Sequence, residues 1–76
     1  MPPLRNLSGI DLVKIFCNKL GFAITERKGS HVRLSKFTDS GKVGTTIPPY
    51  SELKIGTIKN ILKLAQVDET EFTKYL

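Results

Sequence analysis

Several residue types are scarce in this 76-residue chain, and each scarcity removes a class of protein. The single cysteine, Cys17, leaves no partner for an internal disulfide; it fits a reducing compartment, and its place in a helical pattern marks it as a packing residue. One cysteine and one histidine, His31, cannot build a self-contained zinc site. No apolar run approaches the length of a membrane span, and the N-terminal residues lack the charged-then-apolar form of a signal peptide. A cytoplasmic protein with no membrane partner is therefore expected. Acidic residues are scarce in one half only. Residues 1–38 carry Arg5, Lys14, Lys19, Arg27, Lys28, Arg33 and Lys36 against Asp11 and Glu26, whereas the two signs balance in residues 39–76. The whole net charge of +5 thus lies in the first half and favours an anionic partner.

What remains is ordinary: 39% hydrophobic and 25% charged residues suit a folded globular chain, and the length allows one domain spanning residues 1–76. Residues 1–7 read as a loose lead-in. Ser8 can cap a helix over about residues 9–20, with Asp11 three positions on in a variant of the capping box. Ile10, Val13, Phe16, Cys17 and Leu20 recur at spacings of three and four along one face, and Gly21 ends the helix. Residues 22–27 alternate as a strand, Lys28-Gly29-Ser30 turns the chain, and residues 31–37 return it as a hairpin. A second turn over residues 38–42 leads to a third strand, 43–47, which Pro48-Pro49 ends. Phe22, Ile24, Val32, Leu34, Val43 and Ile47 would form one apolar sheet face; Thr25, Arg27, His31, Arg33, Ser35 and Thr46 would form the other. Residues 50–54 connect to a helix over about 54–65, whose apolar side holds Ile55, Ile58, Ile61, Leu62 and Ala65. Asp68 and Glu71 form a capping box for a short last helix, with Val67 stapled to Phe72. The expected fold class is α+β: a three-stranded antiparallel sheet with helices packed on one face, in the order α-β-β-β-α plus a small C-terminal helix.

The stretch from Arg27 to Lys36 concentrates the chemistry. It holds the histidine and four basic residues, Arg27, Lys28, Arg33 and Lys36, and no acid. Alternation puts His31, Arg33 and Ser35 on one solvent face beside a glycine turn. An exposed histidine on a basic strand can be a plain surface residue, Ser30 can serve only the turn, and the basic face can be merely solvated. Asp11, Glu26 and Asp39 fall in different elements with no metal-ligand spacing, so neither metal nor cofactor is expected.

Four words tie these elements together: Leu20-Gly21-Phe22, Lys28-Gly29-Ser30-His31, Ile47-Pro48, and Glu52-Leu53-Lys54 with Gly56-Thr57-Ile58 running to Ile61-Leu62-Lys63. In this order they resemble the HicA (YcfA-like) family of mRNA interferase toxins over roughly residues 8–72. The resemblance implies a fold like the double-stranded-RNA-binding domain (dsRBD), the toxin role of a type II toxin–antitoxin pair, endonucleolytic cleavage of RNA including mRNA, and inhibition by a HicB-type antitoxin. It also implies that His31, the histidine of the Gly-Ser-His word, is catalytic. The chain departs from many members by carrying Pro48-Pro49-Tyr50 where a second histidine follows the proline, and Ile55 where proline precedes Gly-Thr.

Metal-free RNA cleavage needs a base for the 2′-hydroxyl, an acid for the leaving oxygen and positive charge at the phosphate. Histidine can fill either proton role but not both in one step. Water, Lys28 or Tyr50 is left to supply the second, Tyr50 being also readable as a packing residue. Arg33, with its planar fork, suits the phosphate, and Arg27 across the hairpin could assist. Gly29 allows close backbone approach, and its amide with that of Ser30 could help hold a phosphate; Lys36 extends the basic RNA-binding strip. Two other readings stay open: a non-catalytic dsRBD-like module gripping RNA through phosphates and 2′-hydroxyls, and an interaction domain whose basic face meets an acidic protein.

Overall fold

Ser8 sets the first helix. In the computed structural model, which describes residues 4–76, its hydroxyl accepts the Asp11 amide at 3.1 Å, and α1 runs Gly9–Asn18. Gly21 takes the positive φ of 78° that lets the chain leave the helix, and the Phe22 amide donates back to the Phe16 carbonyl at 3.0 Å. The buried stripe of α1 is centred on Leu12 and Phe16, one step round from the expected one: Ile10 is 44% exposed.

Three strands follow as an antiparallel meander in the order β2-β3-β4: β2 Ala23–Lys28, β3 His31–Thr38 and β4 Gly41–Ile47. Val32 and Leu34 of β3 and Val43, Thr45 and Ile47 of β4 are buried on one face. Two longer helices cover that face. The second, α2 (Ile55–Leu64), contributes Ile58, Ile61 and Leu62, and the buried Thr45 hydroxyl donates to the Ile61 carbonyl at 3.1 Å. Ile55, expected on its apolar side, is partly exposed. The last helix, α3 (Glu69–Thr73), is capped by Asp68, whose carboxylate accepts the Thr70 amide at 3.4 Å. It drives Phe72 against Phe16, which also meets Phe22 at 4.9 Å between ring centroids. Phe16 and Phe72 are fully buried and join the three elements, each aromatic side chain stabilising the core by about 2–3 kcal/mol through area removed from water.

The segments before α1 and before α2 are more ordered than their composition suggests. The expected lead-in lies partly outside the described residues, at 1–3. From Leu4 on it is not loose: Leu7–Ser8 forms β1, which pairs antiparallel with β5, Glu52–Leu53, inside the expected connector. Leu7 and Leu53 are both buried, so the pairing also closes the core. Asn6 reaches further, its side-chain oxygen accepting the Ile55 amide at 3.2 Å and capping α2, which has no cap of its own. The Gly9 amide donates to the Ser51 carbonyl at 2.8 Å, and a Cβ on Gly9 would overlap the Pro48 carbonyl. The fold is α+β, α-β-β-β-α with a short C-terminal helix, and two marginal strands tie the segment before α1 to the segment before α2. No helix among the described residues is long and apolar enough to cross a membrane.

Candidate active site on the open sheet face

The hairpin between β2 and β3 decides which side chains meet. Lys28 pairs with His31, so the turn is Gly29-Ser30 alone, two residues rather than the expected three. Gly29 carries φ 59° at the first central position, as a two-residue turn with glycine leading requires. Open space surrounds the position a Gly29 Cβ would take, so the glycine is needed for its backbone angle rather than for room.

Shortening the turn by one residue moves the extra residue into β2. Ile24 pairs with Leu34 but Glu26 pairs with Arg33, leaving Thr25 as a bulge. The Thr25 hydroxyl donates to the Arg33 carbonyl at 3.3 Å, securing it. Beyond the bulge every side chain of β2 points to the opposite face from the one simple alternation assigns. Glu26 and Lys28 therefore join His31 and Arg33, while Arg27, opposite Val32, turns to the helix side.

These residues line one open cavity of about 310 Å³: Glu26, Lys28, His31, Arg33 and, from β4, Thr46. His31 is exposed and lines this cavity, and Ser30 Oγ lies 3.4 Å from its Nδ1, a long contact. Among the described residues neither Lys28 nor Arg33 is engaged in an ion pair, so both cations are available to an anion. Ser35 and the exposed Phe37 continue the same face along β3. No group of three His, Cys, Asp or Glu side chains converges among the described residues.

Three expected site residues lie elsewhere. Arg27 borders a different cavity, with Ile10, Val13, Lys14, Val32, Pro49 and Tyr50. Lys36 shares the parity of Leu34 and also faces the helices: its ammonium donates to the Leu20 carbonyl at 2.9 Å, beyond the end of α1, and sits 5.8 Å from the Phe22 ring centroid. Tyr50 is 77% exposed but lines the Arg27 cavity, not the His31 cavity. The residue that periodicity missed is Glu26. The only sequence sign of its placement is the Gly-Ser pair, which favours a two-residue turn and so demands a compensating residue upstream.

The fold and this face together define a small α+β domain of dsRBD-like order, with a histidine-centred basic cavity on the uncovered side of its sheet. The family model described as the HicA toxin of bacterial toxin-antitoxin matches residues 9–67. The chain belongs to that family of toxins. Comparisons with curated proteins and with solved structures return no match.

Proposed function

We propose that this toxin is a metal-independent endoribonuclease that cleaves mRNA with His31 as a catalytic residue and is held inactive by a HicB-type antitoxin in the cytoplasm. The observation that carries the reading is the shared cavity of His31, Lys28 and Arg33 in a chain of the HicA toxin family. A guanidinium fork and an ammonium beside an imidazole supply the charge and the proton transfer that phosphodiester cleavage demands. In the reaction the 2′-oxygen attacks phosphorus, the bond to the 5′-oxygen breaks, and a cyclic phosphate and a 5′-hydroxyl result. Arg33 binds two non-bridging oxygens, Lys28 neutralises charge as it develops, and the Gly29 and Ser30 amides hold the strand at the turn.

The test is RNA cleavage by purified protein in EDTA, beside His31→Ala with its fold checked by circular dichroism. Because His31 is exposed, the variant keeps its fold. It should keep RNA binding and lose at least about 100-fold in cleavage rate. Equal cleavage by both proteins removes His31 from the chemistry. Salt-dependent RNA binding without cleavage by the wild type moves the assignment to a non-catalytic RNA-binding module.

A further inference from the structure

One histidine leaves one proton transfer without an agent, and the bulge in β2 supplies a second group. We infer that Glu26 is the general base that takes the 2′-hydroxyl proton, with His31 as the acid that protonates the departing 5′-oxygen; this rests on the ribonuclease reading above. Glu26 and Arg33 are directly opposed across the hairpin, as are Lys28 and His31. The four side chains make a two-by-two block on one face. Directly opposed side chains stand about 5 Å apart at Cβ and diagonal ones about 7–8 Å. The proton-transfer pair, Glu26 and His31, occupies one diagonal, and the cations Lys28 and Arg33 occupy the other.

That layout matches in-line displacement at phosphorus. The entering and leaving oxygens lie on opposite sides of the phosphorus atom, so acceptor and donor must flank it rather than adjoin each other. A phosphate drawn in by Lys28 and Arg33 sits between the two diagonal groups. A carboxylate accepts only, which suits it to the 2′-hydroxyl proton, while an imidazolium donates, which suits it to the 5′-oxygen. The proton balance closes: one proton moves to Glu26 as the O2′–P bond forms, and one leaves His31 as the P–O5′ bond breaks. Tyr50 cannot take either part from the other side of the sheet. The bulge at Thr25 is what brings Glu26 here; in an unbroken strand its side chain would point toward Val32 and the helices.

The experiment compares the wild type, His31→Ala and Glu26→Gln on one RNA oligonucleotide in EDTA, reading kcat, KM and the pH profile separately. Glu26→Gln keeps shape and solvent exposure, so folding is unaffected. Its kcat should fall about 100-fold or more without a rise in KM, because a negative charge has been removed from beside the phosphate. The acid-side limb of the pH–rate profile should vanish, leaving the limb set by His31. If His31→Ala is inactive but Glu26→Gln stays within about threefold of the wild type, or keeps the acid-side limb, the Glu26 assignment is overturned and the His31 reading stands. If the wild type does not cleave, the ribonuclease reading fails and takes the Glu26 assignment with it; if His31→Ala cleaves equally, His31 is not the acid and the paired Glu26–His31 assignment is overturned.

Discussion

Replacing Lys36 with methionine separates a stabilising lysine from an RNA-binding one. Its ammonium donates to the Leu20 carbonyl at 2.9 Å and lies 5.8 Å from the Phe22 centroid, so it closes the C-terminal end of the first helix region. A charge-assisted hydrogen bond contributes about 1.5–3 kcal/mol when well buried, and this partly exposed one falls near or below the lower end. The cation–π contact adds about 0.5 kcal/mol at an exposed site. Ordering a lysine side chain costs up to about 1 kcal/mol when burial is partial, which leaves a net contribution near 1 kcal/mol. For a domain of this size the expected loss in Tm is about 4–8 °C. Thermal unfolding followed by circular dichroism measures it. RNA affinity across a salt series is the companion measurement, and Lys36→Met should leave its slope unchanged. Arg33→Gln should do the reverse, preserving Tm and reducing the slope by about 0.7, the value for one phosphate contact on a single strand. Should Lys36→Met melt like the wild type and lose salt slope, the division of the sheet into a structural and a ligand face is wrong.

Two further outcomes follow from the same arrangement. Tyr50→Phe should leave the cleavage rate within about twofold of the wild type, since the hydroxyl lies on the Arg27 side of the sheet; a loss of about 100-fold in the same EDTA assay would restore it as a proton donor. Asn6→Ala should lower stability in denaturant unfolding by about 1 kcal/mol, because the Ile55 amide loses its cap; no change would mean that water replaces that cap at no cost.

Local chemistry was legible in the sequence. Ser8 and Asp68 cap where their positions say they should, and alternation along β3 correctly separates Val32 and Leu34 from His31 and Arg33. What escaped depends on partners distant in the chain. The Asn6 cap spans 49 positions and the Lys36 bond spans 16, and no short window contains both ends of either. The β1–β5 pair is two residues on each side, too short for any periodic pattern. The faces of β2 escape periodicity for a different reason. A three-residue turn with regular strands and a two-residue turn with a bulge use the same number of residues, so composition does not distinguish them. The structure takes the two-residue turn, with Gly29 supplying the positive φ and the Thr25 hydroxyl securing the bulge.

That one choice governs the electrostatics of the site. Counted along the chain, residues 27–36 present four cations and no acid, which describes a surface built to hold RNA tightly. Folded, Arg27 and Lys36 go to the helix side, and Glu26 comes to the open side with Lys28 and Arg33. Two cations less one carboxylate leave a local charge of +1 before His31 is counted. A site of that kind attracts a phosphate without retaining it strongly, since each phosphate-bound cation adds to salt-dependent affinity. Binding that is uniform in ground and transition states does not raise turnover, whereas a proton acceptor and donor flanking the phosphorus act only as the bonds change. Under the proposed reaction, the exchange of Arg27 for Glu26 trades ground-state grip for groups that would act in the transition state.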